Sequence, residues 1–202
     1  YWSPCLNKVG TVISTKNSAI SLAKYKKKIY DVSILNVFGE WDEYLEEFEK
    51  YGINIINLTF SYYRYLPKTG FLKSRLSYII IFLISFFPLL FCLKKQKPDF
   101  IIMHLITSLP LFLMRIFKFN TKFILRISGF PKLNFMRKVF WKGSNKELFK
   151  ITCPTEELLC KIKNENIFYE NKLYFLQDAI INLDKFKKSE SLKIKNLDKK
   201  II

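Results

Sequence analysis

In 202 residues the chain has one histidine, His104, and four cysteines scattered as Cys5, Cys92, Cys153 and Cys160. There is no CxxC pair and no Cys/His cluster, so neither a structural zinc site nor a small disulfide scaffold is signalled, and a reducing cytosol is the natural setting. Glycine is sparse as well, at six. None of these glycines forms GxGxxG or GxxxxGK[ST], which excludes a complete dinucleotide or ATP loop of either type. Acidic residues are half as common as basic ones, 17 against 34. The resulting charge of +17 points to an anionic partner, whether lipid headgroup, phosphate or nucleic acid, without choosing among them.

What is present is apolar. Half of the residues are hydrophobic, 17% are aromatic and 20 are Phe, a composition that folds rather than stays disordered. The length suits one well-cored domain plus a tail. The chain opens on Tyr1 and ends in a Lys-rich run, and it is expected to be a fragment, with the domain over 1–181 and the start of an interdomain linker over 182–202.

Along the chain, strand and helix patterns alternate. Tyr1-Trp2-Ser3-Pro4 reads as the exit of a strand, Gly10 follows it, and Ser18 to Tyr25 is helical. Strands are expected at Ile29 to Phe38, Ile53 to Thr59, Phe100 to His104, Lys122 to Ile127, Ile151 to Thr155 and Lys172 to Leu176. Helices are expected at Trp41 to Tyr51, Leu109 to Phe117, Asn134 to Lys142 and Glu156 to Lys163. Leu76 to Leu93 is apolar apart from two serines and reaches the length of a membrane span. Pro88 inside it, lysines and an arginine on both flanks, and Pro98-Asp99 leading into a strand favour a buried or interface-lying helix instead.

Continuous apolar strands separated by helices specify a doubly wound, mostly parallel α/β sheet covered on both faces. Ligands in such sheets bind outside the carboxyl ends of the strands. The residues there are Gly10, Phe38 to Trp41, His104, Arg126 to Gly129, Pro154-Thr155 and Asp178. His104 ends a buried strand, where an imidazole either hydrogen-bonds sugar or phosphate oxygens or caps backbone groups. Gly10 lets backbone approach a phosphate at a helix amino terminus, or is a plain turn glycine. In Leu125-Arg126-Ile127-Ser128-Gly129-Phe130-Pro131-Lys132 the planar guanidinium of Arg126 suits two phosphate or carboxylate oxygens, the alternative being a solvated head on a buried stem. Lys68, Lys73 and Arg75 before the apolar segment, with Arg137, Lys138 and Lys142 later, suit an anionic membrane surface or a plain solvated face.

Gly10-Thr11-Val12, Lys73-Ser74-Arg75-Leu76-Ser77-Tyr78, Pro98 to Leu105, Ile124 to Lys132 and Cys153-Pro154-Thr155, in that order and spacing, resemble the amino-terminal domain of a large retaining glycosyltransferase family. That family includes bacterial lipopolysaccharide, capsule and phosphatidylinositol mannosyltransferases. The resemblance runs from Gly10 to Ile181. It implies the acceptor-side, Rossmann-like half of a two-domain GT-B enzyme, with the cleft between the domains as active site. By the same resemblance His104 contacts the transferred sugar as the catalytic residue. Gly10, Thr11, Arg126, Ser128 and Gly129 bind the donor phosphates or the acceptor, and Lys73 and Arg75 contact membrane or acceptor. The implied partners are a nucleotide sugar, a glycan or lipid-linked acceptor and the inner face of the cytoplasmic membrane, with no cofactor and no obligatory metal. A basic membrane- or nucleic-acid-binding module without catalysis is the alternative. Nucleic acid is disfavoured because the Phe residues sit in apolar runs rather than on exposed platforms.

Overall fold

A computed structural model describes residues 1–6, 10–67 and 71–179. Lys68 and the expected linker over 182–202 lie outside the described residues. Among the described residues six α-helices and six strands alternate: α1 (Gly10–Lys26), β1 (Ser33–Asn36), α2 (Leu45–Lys50), β2 (Asn54–Asn57), α3 (Phe71–Gln96), β3 (Phe100–Met103), α4 (Ser108–Ile116), β4 (Lys122–Arg126), α5 (Phe135–Ser144), β5 (Leu148–Cys153), α6 (Glu156–Asn164) and β6 (Leu173–Phe175). β1 pairs with β2, and β3 to β6 pair in chain order, every pair parallel. This is the doubly wound, Rossmann-like α/β class that the alternation predicts.

The two sheet segments are joined by the amino terminus. Trp2 bridges Leu35 on one side and Met103 on the other, both in parallel. Its N–H donates to the Ile102 carbonyl at 2.9 Å, its carbonyl accepts the His104 N–H at 2.8 Å, and Tyr1 O accepts the Leu35 N–H at 2.9 Å. The lateral order is therefore β2, β1, the Tyr1–Trp2 stub, β3, β4, β5, β6. The chain reverses direction across the sheet at this stub, which makes it the topological switch point.

Two cores cover the sheet. On one face Val12, Ala19, Ile20 and Ala23 of α1 and Phe48 of α2 pack with Ile34, Trp41 and Ile53. On the other, α3 to α6 pack over Trp2, Leu35, Met103, Leu125 and Ile151. Among the described residues no helix lies over the first face beyond the stub. There Phe100, Phe149 and Tyr174 stay about two-fifths exposed, with Lys122 Nζ 5.4 Å and 5.1 Å from the Phe100 and Phe149 ring centres and Lys150 Nζ 4.1 Å from that of Tyr174. Helices thus stand on both faces, as expected, but over β3 to β6 three rings and two lysines stand partly exposed, against the expectation that aromatic residues stay in apolar runs. Edge strand β6 is tied on by Lys172, whose ammonium donates to the carbonyls of Asn145 (2.7 Å), Lys146 (2.9 Å) and Leu148 (2.6 Å).

Several boundaries differ from the pattern. α1 starts at Gly10 rather than Ser18, and β1 begins only at Ser33, because Ile29 and Tyr30 are exposed ahead of the sheet. The acidic helix shrinks to α2 behind a single 3-10 turn, Asp42–Tyr44. The apolar segment is one 26-residue helix, α3, long and apolar enough to cross a membrane by length and composition. Ser77, Ile81, Ser85, Leu89 and Leu93 form its buried stripe, while Leu76, Ile79, Leu83, Phe87 and Phe91 point outward. Spacing of three to four residues on both stripes is that of a helix with one packed side.

Trp2→Ala removes the largest fully buried side chain at the joint, and is expected to destabilise the fold by roughly 3–5 kcal/mol. Urea unfolding checks it; a loss below about 1 kcal/mol would show that the two sheet segments do not depend on this residue.

Candidate functional site

The strand ends carry a row of polar side chains. Register places Asn36 beside Asn57, and the Trp2 bridges put Ser3 next to Asn36 and His104. Met103 opposite Leu125 brings His104 beside Arg126, which lies opposite Thr152, and Thr152 opposite Tyr174. Partners in parallel register share a face, so Asn57, Asn36, Ser3, His104, Arg126, Thr152 and Tyr174 run across one face at the carboxyl edge. The five middle members are buried.

α1 turns a polar underside to the stub end of this row, since Ser14, Thr15 and Asn17 are all buried. Ser3 Oγ and Thr15 Oγ1 are 3.3 Å apart, and Tyr1 Oη meets Ser18 Oγ at 2.9 Å. Asn36 is fully engaged: its amide donates to Asp42 Oδ1 (2.7 Å) and Asn57 Oδ1 (2.8 Å), and its carbonyl oxygen accepts the Trp41 N–H at 3.2 Å. At the other end of the row Arg126 Nη2 donates to Asp178 Oδ1, which also accepts from Ser14 Oγ at 2.7 Å.

Two buried atoms at the centre have no hydrogen-bond partner, His104 Nδ1 and Arg126 Nη1. Buried polar groups are almost always paired, so a pair of neighbouring exceptions at a switch point leaves hydrogen-bonding capacity open there. Burial, and then the charge of Arg126, push the His104 imidazole down to about 3, against the opposing pull of Asp178. At neutral pH it is uncharged, able to donate with one ring nitrogen and accept with the other. The turn just after it is strained: Leu105 and Ile106 have φ of +21° and +41°, a region that β-branched residues avoid. The Trp2 indole N–H, donating to the Ile106 carbonyl at 3.1 Å, holds that turn.

The other expected site residues fall as follows. Gly10 opens α1 and is exposed, and Thr11 follows it half-buried, its carbonyl accepting Thr15 Oγ1 at 2.8 Å. Ser128 is half-buried and Gly129 exposed, directly after β4. A Cβ added at Gly10 or Gly129 would meet nothing within 4 Å, so packing requires glycine at neither place. Packing does require it at Gly39, with φ +91° and a Cβ position 2.0 Å from Ser61 Oγ. Lys73 and Arg75 stand exposed in the first turns of α3, which packs on the opposite face from the row, so they belong to a different surface from His104.

Ser14 is the participant that pattern reading does not single out, while Asp178, and Glu40 within Phe38 to Trp41, are named at the strand ends without a role. Glu40 is buried at the end of β1 and accepts the N–H groups of Val37 (3.1 Å) and Phe38 (2.8 Å). Comparison with family models, curated proteins and solved structures returns no match.

Burial outweighs those N–H donors and pushes the Glu40 carboxyl from 4.5 up to about 8. Between those two values the folded chain holds a proton that the unfolded chain has released, so this group's contribution is full below the lower one and is lost as pH rises to the upper one. Glu40→Gln, which keeps an acceptor and cannot ionise, is expected to flatten that decline by roughly 1 kcal/mol per pH unit relative to the parent. Urea midpoints of both proteins across the window check it, and parallel curves would refute it.

Proposed function

We propose that the chain is the acceptor-side half of a retaining, sugar-nucleotide-dependent glycosyltransferase that works on a glycan or lipid-linked acceptor at the cytoplasmic face of a membrane. The observation that carries this reading is the pair of unpartnered buried atoms, His104 Nδ1 and Arg126 Nη1, at the switch point of a parallel sheet. Glycosyl transfer from a nucleotide sugar leaves a diphosphate whose negative charge grows as the bond breaks. A fixed guanidinium and the amino terminus of α1 stabilise charge of that sign without rearranging. An uncharged imidazole beside them suits sugar hydroxyls, because it both donates and accepts and does not compete with the arginine for the phosphates.

The membrane part of the proposal rests on a separate surface. The outward stripe of α3 continues onto α4, where Phe112 packs 5.8 Å from Phe82 and 6.2 Å from Phe86 between ring centres. It reaches α5 through Arg115, whose guanidinium lies 5.6 Å from the Phe140 ring centre. α5 adds exposed Phe135, Met136 and Val139 beside the basic Arg137 and Lys138. Lys73 and Arg75 at one end of α3, and Lys94 and Lys95 at the other, frame an apolar surface with cations. Such a surface lies on anionic lipid, each inserted large side chain contributing about 1.5–3 kcal/mol and each lysine near the headgroups about 1 kcal/mol.

Two outcomes are expected. His104→Ala lowers kcat for sugar transfer from nucleotide sugars to a lipid-linked acceptor by about tenfold or more, with binding of the nucleoside diphosphate product little changed; unaltered turnover would remove His104 from the site. Phe87→Glu in the middle of the outward stripe weakens co-sedimentation with anionic phospholipid vesicles by about tenfold or more, and equal sedimentation of both proteins would detach α3 from the membrane.

A further inference from the structure

We infer that Asp178 is a built-in gate on the Arg126 site: its carboxylate occupies the donors that a ligand phosphate needs, and a phosphate-bearing ligand enters by displacing it. This rests on reading Arg126 as an anion-binding residue. Asp178 belongs to the chain beyond β6, at the edge of the sheet, whereas Arg126 ends β4 two strands away. Leu176 N–H still pairs with the Cys153 carbonyl at 2.9 Å. Two residues on, Asp178 Oδ1 meets both Arg126 Nη2 and Ser14 Oγ.

The fit is incomplete, and the remainder identifies the better occupant. Both donors converge on one carboxylate oxygen, while Arg126 Nη1 and His104 Nδ1 remain unpartnered although both side chains are more than nine-tenths buried. A phosphate presents more oxygens in a tetrahedral array and carries more charge. It can take Nη1 and Nη2 as a fork and Ser14 Oγ as a third donor, leaving His104 Nδ1 to a hydroxyl of the same ligand. Gly10 and Thr11 open the 17-residue helix α1 roughly one turn from Ser14, and that end of a helix favours negative charge. Asp178 therefore fills the site partway, keeping Arg126 compensated until a ligand that satisfies all of the donors replaces it.

The test uses inorganic pyrophosphate as the probe, at neutral pH and matched ionic strength. Titration calorimetry compares the parent with Asp178→Asn and Asp178→Ala. Amide exchange at Leu176 to Asp178 is followed in the parent with and without pyrophosphate. The gate predicts about tenfold or more tighter binding to both variants, and faster exchange over these residues in the parent when pyrophosphate is bound. Equal affinity in all three proteins with unchanged exchange would overturn the gate while leaving the anion site standing. Weaker binding by the variants would also overturn it and make Asp178 a positioning residue for Arg126. Failure of every form to bind would overturn the anion site and the gate together. If the variants do not fold, exchange in the parent decides alone.

Discussion

Everything at the carboxyl edge depends on one pair of backbone ladders. Trp2 gives its N–H and its carbonyl to the β3 side, and Tyr1 gives its carbonyl to β1, so a stub of two residues supplies the hydrogen bonds that would otherwise be missing at the middle of a sheet. An unpaired central edge would leave buried N–H and carbonyl groups exposed to each other rather than to water. The same residue reaches further through its side chain. Its indole anchors the Ile106 carbonyl, and with it the left-handed turn that follows His104. Sheet continuity and the placement of the histidine are thus one constraint, set by a single tryptophan.

From that constraint follows the chemistry of the row. Five polar side chains are buried in line where a doubly wound sheet usually presents its ligand. Burying them unpaired costs about 1–3 kcal/mol each, which is why the Asn36 end is closed off by Asp42, Asn57 and the Trp41 N–H, and why α1 turns serines and threonines inward. The compensation stops between His104 and Arg126. There two buried polar atoms stand without a partner next to a strained turn.

Much of the architecture was legible because continuous apolar runs of four to six residues separated by helical periods admit few arrangements. β3, β4 and the positions of His104 and Arg126 at their ends follow directly from Phe100-Ile101-Ile102-Met103 and Phe123-Ile124-Leu125. α1 was misjudged at its start because its underside is polar. Ser14, Thr15 and Asn17 face the stub end of the row, and a helix packed on hydroxyls shows no apolar period. The partnership of Arg126 with Asp178 was out of reach for a different reason: the residues are 52 positions apart, and only the path of the chain past β5 brings them together. The open face over β3 to β6 was hidden in the same apolar strands that revealed the fold, since Ile102 and Ile124 do not tell covered from uncovered without the helices in place.

The clasp on the last strand has a practical corollary. The ammonium of Lys172 is turned inward onto three carbonyls, and burial holds its basicity below the ordinary lysine range. Amine-reactive reagents decorate accessible lysines first, so a labelling map of the native protein should pass over this one. Its sudden acylation would report that the sheet's outermost ribbon has peeled away before the rest has melted.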